Sequence, residues 1–240
     1  MSVYVMSDLH GNYEGFISIL EQIQFSEADE LFVNGDIVDR GRDGIKILQY
    51  MMMQPNIYPI IGNHEYVLLQ VLDFVNQEIT EDAISKIDEK TIQNIIEYQN
   101  IGGQVTLDEF HKLSKEERRD IVDYLEEFAA YEEITVNGKN FVIIHAGFMN
   151  FEPERKLEDY QLYELIFKAP DYERVYYSDK YLVTGHLPTR AINGAVPDEI
   201  YITNNHIAID CASGYGGKVG CIRLDDFECF YSNEGGNKYE

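Results

Sequence analysis

The stretch VNGDIVDRG, residues 33–41, sets two acids, an arginine and two glycines directly after a short apolar run, where a strand is expected to end. Read outward from it, the first 75 or so residues repeat one plan three times. SVYVMS (2–7) is rich in β-branched and aromatic residues and stops at Asp8. It gives way to NYEGFISILEQI, in which Phe16, Ile17, Ile19, Leu20 and Ile23 recur at helical spacing. ELFVNGD is followed by the helical DGIKILQYMMM, and IYPIIGNHE by YVLLQVLDFV. Three strand-loop-helix units predict an α/β sheet whose functional loops meet at the C-terminal ends of its strands.

From about 78 to 130 the chain turns acidic and helix-forming, as in SKEERRDIVDYLEEF, with NIGGQVTL interrupting it; this reads as a helical insertion beside the site. Asn137-Gly138 between two apolar runs is a strong hairpin signal. YLVTGH, EIYITNNHIAID and KVGCIRLDDFECFYS continue as short strands, so the C-terminal half is expected to be mostly antiparallel β. With 240 residues, 45% of them hydrophobic, the chain can bury a full core and is expected to form a single domain over 1–240.

Lys and Arg total 19 against 43 Asp and Glu, a formal charge of −24 that repels phosphate backbones and anionic membrane surfaces. Nucleic-acid wrapping and membrane docking are therefore not expected. Cys211, Cys221 and Cys229 lack metal or disulfide spacing and suit reduced thiols. No leader pattern and no apolar run of about 18 residues is present, and a cytoplasmic location is expected.

The chemistry sits at the strand ends: Asp8-Leu-His10, then Asn34-Gly35-Asp36 with Asp39 and Arg40, then Gly62-Asn63-His64-Glu65, and later His145-Ala-Gly147 and Gly185-His186. One Asp or His there is ordinarily a cap or a turn former. Together they offer the carboxylate and imidazole donors that a divalent cation takes. In an extended chain Asp8 and His10 would point to one face, and glycines at 35, 41 and 62 would allow sharp turns. Asp8, His10, Asp36, Asn63, His145 and His186 are too many donors for one open tetrahedral zinc, and they suit two ions sharing one carboxylate. Two such ions acidify a water and hold the oxygens of an in-line phosphoryl displacement. Arg40 would grip phosphoryl oxygens, and Asp39 would hold a histidine in its acid form.

SDLHGN, GDIVDRG, GNHE, HAG and TGH, in this order, resemble the calcineurin-like metallophosphoesterases, specifically the phosphoprotein phosphatase branch with its small bacterial and phage members. NIGGQVTL and IAIDCASGYGGKVGCIRLDD are also similar to bacterial members. The resemblance implies an α/β (α+β) fold, a central β-sandwich of mixed sheets flanked by helices. It implies Asp8, His10 and Asp36 on one ion and Asp36, Asn63, His145 and His186 on the other, with Asp36 bridging. His64 would be the proton donor, paired with Asp39, and Arg40 would bind phosphate. Manganese is the first expectation, with iron or zinc also suited, since the donors are all nitrogen and oxygen. A second phosphate-binding arginine of the bacterial members is matched here by Lys168 in LYELIFKAPDY, with Arg155 and Arg174 as other candidates.

The implied activity is metal-dependent phosphomonoester hydrolysis, first as a protein serine/threonine phosphatase acting on phosphorylated protein. The alternative is a diadenosine tetraphosphate hydrolase, whose relatives often lack the acid at the position of Asp39 or Glu65. A non-catalytic binding module is disfavoured because no ligand position is missing. Among other conspicuous residues, Met51, Met52 and Met53 read as core filler and His111 and His206 as exposed bystanders. Tyr160, Tyr163, Tyr172, Tyr176, Tyr177 and Tyr181 read as sheet-edge packing.

Overall fold

A computed structural model describes residues 1–75, 89–233 and 235. The first part of the expected insertion, residues 78–88, lies outside them. Strands β1 (Val3–Met6), β2 (Glu30–Asn34) and β3 (Ile57–Ile60) alternate with helices α1 (Tyr13–Gln22), α2 (Gly44–Met52) and α3 (Asn63–Val75). Helices α4 (Glu89–Tyr98), α5 (Gln104–Phe110) and α6 (Lys115–Glu126) follow, α4 and α5 being joined by a π-helical turn, Gln99–Gly103. Then come β4 (Glu132–Val136), β5 (Lys139–Ile143), α7 (Leu162–Ile166), β6 (Lys180–Thr184), β7 (Tyr201–Thr203), β8 (His206–Ala208), β9 (Gly220–Arg223) and β10 (Cys229–Tyr231).

The strands form two five-stranded sheets, ordered β10-β9-β1-β2-β3 and β4-β5-β6-β8-β7. In the first, β1, β2 and β3 are parallel and β9 and β10 antiparallel. In the second, β4 pairs antiparallel with β5 through the expected Asn137-Gly138 turn, where both residues take positive φ (49° and 77°). The second sheet departs from the antiparallel expectation, because β5, β6 and β8 are mutually parallel. Short strands read alike in either direction. What sets direction here is the long connection between β5 and β6, which carries α7 back to the starting edge.

Period-two alternation sorts the core. Val3 and Val5 of β1, Phe32 of β2, Phe141 and Ile143 of β5, Val183 of β6 and Ile207 of β8 face inward and form one buried cluster between the sheets. Their neighbours Tyr4, Met6, Leu31, Val33, Val142 and Leu182 face outward, into the cluster that also holds Phe16, Ile19 and Leu20 of α1 and Ile47 and Leu48 of α2. The result is a sandwich of mixed sheets flanked by helices. Its six parallel strands all end at one edge.

Three readings are corrected. Met51 is buried, but Met52 and Met53 are exposed, since Met52 lies on the outer face of the helix and Met53 is its C-cap. Tyr160, Tyr176 and Tyr177 pack around Phe148 and Phe151 in the β5–β6 connection, not along a sheet edge, while Tyr181 on β6 does pack against Phe141 and Tyr163 is exposed. His111 is exposed as expected. His206 is not: it is fully buried on β8, stacked on Tyr172 at 4.4 Å with its Nε2 2.9 Å from Thr184 Oγ1. The turn is made by Asn204 and Asn205, both at positive φ, and His206 begins the strand behind it.

Burial drives the His206 pKa down from 6.5 to about 3, so the folded protein keeps the ring neutral where the unfolded chain protonates it. The unfolded state therefore binds the extra proton between these two values, and this contribution to stability is lost as pH falls from 6.5 toward 3. His206→Phe, which keeps the stack, should flatten the acid-side fall in stability by up to about 1.4 kcal/mol per pH unit. Urea unfolding of both proteins between about pH 6 and 4 checks this, and parallel slopes would rule it out.

Candidate metal centre

Each motif residue leaves the sandwich at the common edge. Asp8 and His10 follow β1; Asp36, Asp39 and Arg40 follow β2; Asn63 and His64 open α3 after β3; His145 follows β5 and His186 follows β6. Asp8, His10, Asp36, Asp39, Arg40 and His186 all sit at positive φ, between 45° and 70°. Each such residue costs about 1 kcal/mol without glycine's freedom. Asp8 and His10 therefore do not reach the site by alternation along an extended chain. They lie on a turn pinned by Asp8 N donating to Gly35 O (3.0 Å) and His10 N to Asp36 O (2.9 Å). Of the three glycines singled out, only Gly35 has positive φ (76°). Gly62 is needed because a Cβ there would collide with the Asp36 carboxylate.

Buried polar groups hold the turns. Glu65, fully buried, accepts the backbone N–H of Asp36 (2.8 Å), Ile37 (2.7 Å), Val38 (3.2 Å) and Gly62 (3.0 Å). Asn34 ties the sheets together at their ends, its Nδ2 donating to Ile144 O (2.8 Å) and its carbonyl lying 2.9 Å from His145 Nδ1.

At the centre, Asp36 faces two groups. Its Oδ1 lies 3.3 Å from His145 Nε2, and its Oδ2 lies 3.7 Å from His10 Nε2 and 3.8 Å from His64 Nε2. Asn63 Oδ1 is 3.0 Å from His145 Nε2 and 2.9 Å from His186 Nδ1. Two donor sets with atoms within 4.8 Å of one another result: His10, Asp36 and His64, and Asp36, His145 and His186. Asp36 belongs to both. Asp8 lies buried beside them, its carboxylate accepting from Ser7 Oγ (2.5 Å) and the His186 N–H (3.1 Å).

The rings are oriented for metal. His10 Nδ1 lies 3.0 Å from Val38 O, His145 Nδ1 bonds Asn34 O, and the His186 ring bonds the Phe167 carbonyl. Each ring thus turns its remaining nitrogen, with its lone pair, to the centre. Such a lone pair on His145 Nε2 meets the acceptor oxygens of Asn63 and Asp36, a repulsion that either a proton or a cation must relieve. Burial opposes a charge on His145, yet Asp36 and Asp8 push its pKa up to about 10. Burial and His145 hold His186 down at about 4, and burial lifts Asp8 to about 7. The donors fit divalent cations, which take up the charge that protons otherwise carry.

The remaining motif residues sit alongside. His64 Nδ1 is 2.7 Å from Asp39 Oδ2. Arg40 Nη1 lies 2.6 Å from His10 Nε2 and Nη2 3.1 Å from His64 Nε2, and its guanidinium stacks over Tyr215 at 4.4 Å. Burial opposes a charge on His64, Asp36 and Asp39 raise its pKa above the ordinary 6.5, and Arg40 works against them. Lys168 is exposed, held by its carbonyl accepting from Gly147 N (2.6 Å). Arg155 is committed to Glu164 (2.7 and 3.0 Å) and Tyr160, and Arg174 lies over Phe151 and Tyr176, so neither points to the centre.

Residues 1–219 match the calcineurin-like phosphoesterase family. The chain belongs to that family. Members of that family are dinuclear metal-dependent hydrolases, and this chain holds two overlapping donor sets that could take metal ions. Among curated relatives, the symmetrical bis(5'-nucleosyl)-tetraphosphatase of Erwinia tasmaniensis is 33% identical over 116 residues, covering 47% of this chain and 42% of that protein. That of Buchnera aphidicola is 29% identical over 151 residues, covering 59% and 54%. The chain spans about half the length of the curated relatives it matches. In fold, it is similar to a candidate diadenosine tetraphosphatase (TM-score 0.66, 18% identity, 98% and 94% of the two chains). It is also similar to a serine/threonine phosphatase from Saccharomyces cerevisiae (TM-score 0.59, 12% identity, 100% and 81%). No helix among the described residues of this phosphoesterase is long and apolar enough to cross a membrane.

Sequence reasoning passed over several residues of the phosphoesterase site. Glu65 was noted only as a family marker. Asp210, just past β8, is buried, and burial with Asp8 nearby raises its pKa well above the carboxylate range. It carried the same strand-end signal as the others. Tyr98 carried none; Thr106 lies in NIGGQVTL, a segment marked by its family resemblance but with no role given to the hydroxyl that reaches Asp39.

Glu65→Gln leaves one acceptor oxygen for four N–H groups. It should lower stability by about 1 to 3 kcal/mol and weaken metal binding roughly 10- to 100-fold. Urea unfolding and manganese titration measure both. Wild-type values in each would contradict the clamp.

Proposed function

We propose that this phosphoesterase hydrolyses dinucleoside polyphosphates, diadenosine tetraphosphate first, at a dinuclear site held by Asp8, His10, Asp36, Asn63, His145 and His186. The observation that carries the reading is the identity to relatives named for symmetrical bis(5'-nucleosyl)-tetraphosphate hydrolysis, on a chain with two donor sets that share Asp36. Bound there, two divalent cations supply Lewis acidity toward the phosphoryl group and acidify water. The chain's own residues do the rest. Arg40, whose guanidinium lies beside His10 Nε2 and His64 Nε2, turns its planar fork from the rings to the phosphoryl oxygens, which frees His64 Nε2 to carry a proton, with exposed Lys168 as the second cation. A water oxygen, its proton released to solvent, forms the new P–O bond in line. As the opposite P–O bond breaks, its electron pair stays on the leaving oxygen, and His64 Nε2–H protonates that oxygen while Asp39 holds the ring through Nδ1.

One observation favours a second reading, protein serine/threonine phosphatase. A nucleoside diphosphate leaves readily as an anion, whereas a serine alkoxide needs a proton. The intact Asp39–His64 pair is the apparatus for that harder task. The motifs put phosphoprotein first; the named relatives reverse the order. Initial rates with manganese on diadenosine tetraphosphate and on a phosphoserine peptide decide between them. The expected result is ADP as the sole nucleotide product and kcat/KM for the dinucleotide at least about tenfold higher, a margin of about 1.4 kcal/mol. Chelation should abolish both activities and manganese restore them. A preference for the phosphopeptide would overturn the dinucleotide reading.

A further inference from the structure

The insertion reaches into the catalytic loop. Asp39 Oδ1 accepts from the Tyr98 hydroxyl (2.5 Å) and the Thr106 hydroxyl (2.6 Å), and Thr106 Oγ1 in turn accepts the Asp39 backbone N–H (3.0 Å). Both side chains are buried, Tyr98 completely and Thr106 to within 1%. Tyr98 closes α4 and Thr106 lies in the first turns of α5, and the π-helical turn between them brings both to one carboxylate oxygen. That turn depends on its glycines. Gly102 takes φ 101°, and a Cβ on Gly103 would collide with the Tyr98 ring. The same segment holds the residues that follow: Gly102 O accepts from Arg40 N (3.0 Å), and the Glu109 carboxylate accepts from Asp43 N (2.5 Å) and Ile45 N (3.1 Å) at the start of α2. Asp39, Arg40 and Asp43, all at positive φ, are thus bonded to the insertion one after another.

With Oδ1 saturated by two hydroxyl donors and a buried surround, Asp39 cannot rotate, and only Oδ2 is left for His64 Nδ1 at 2.7 Å. We infer that Tyr98 and Thr106 are positioning residues for proton delivery: they fix the Asp39 carboxylate, which fixes the His64 ring so that Nε2 faces the leaving oxygen. The inference rests on the proposed role of His64 as the acid. It gives the insertion a part in the reaction. A purely structural role would slow all substrates alike, whereas loss of proton delivery slows those with poor leaving groups most.

The test uses the full manganese-loaded chain with a series of aryl phosphates and one alkyl phosphate, comparing Tyr98→Phe, Thr106→Val, Thr106→Ser and His64→Asn. Thermal unfolding and manganese content verify each variant. Tyr98→Phe and Thr106→Val should each lose about tenfold on the alkyl ester, part of the roughly 10² to 10⁴ that a general acid supplies, and less than about threefold on p-nitrophenyl phosphate. Thr106→Ser, which keeps the hydroxyl, should restore the alkyl rate to within about threefold. Equal losses across the series, or none, in Tyr98→Phe and Thr106→Val while His64→Asn steepens the leaving-group dependence would overturn the positioning role alone. A flat series for His64→Asn would overturn the acid itself and the inference with it.

Discussion

A buried carboxylate pulled from two sides organises this molecule. Asp36 meets His145 through one oxygen and His10 and His64 through the other, and no arrangement of one proton satisfies all of them. Burial opposes its charge, and His145 and His64 hold its pKa well below the ordinary range. The site needs positive charge on both flanks, and the fold is arranged to concentrate donors there. Three parallel strands from each sheet end at one edge, and the sheets are stitched together there by Asn34 and His145. The turns beyond them run through left-handed conformations that cost free energy. Glu65 offsets part of that cost with four backbone hydrogen bonds at the tightest turn. Strain, buried charge and metal affinity are in this sense one design.

What was legible in the sequence follows from range. Asp8, His10, Asp36, Asn63, His145 and His186 could be read because each ends a strand marked by a short apolar run, and a parallel sheet brings strand ends together. His206 was misread because the Asn-Asn pair before it marks a turn, while burial is decided by Tyr172 and Thr184 elsewhere in the chain. The parallel direction of β6 and β8 depends on a crossover that no local pattern encodes. Arg155 looked available until Glu164 and Tyr160 claimed it. Tyr98 and Thr106 bond Asp39 from about 60 residues away in sequence; NIGGQVTL marks the segment that holds Thr106, but no local pattern shows which group its hydroxyl meets.

The balance of leaving groups connects the site to its substrate. In the proposed mechanism metal charge and Arg40 would serve any phosphoryl group, and so would distinguish little between an anhydride and an ester. The Asp39–His64 pair, backed by the insertion, matters in proportion to the basicity of the leaving oxygen. Under the proposed roles this apparatus would suit alkyl esters as well as the anhydrides that the relatives' names point to, and the chain's charge of −24 places the recognition of any polyanion on the local positive centre.

In the proposed site Asp36 serves two cations at once. Electron paramagnetic resonance of the protein titrated with manganese tests it directly. Two ions should bind per chain and, at the second equivalent, the resolved hyperfine signal of an isolated ion should collapse into a broad, spin-coupled spectrum that Asp36→Asn abolishes. One tight ion per chain, or two ions with unchanged isolated-ion signals, would contradict it.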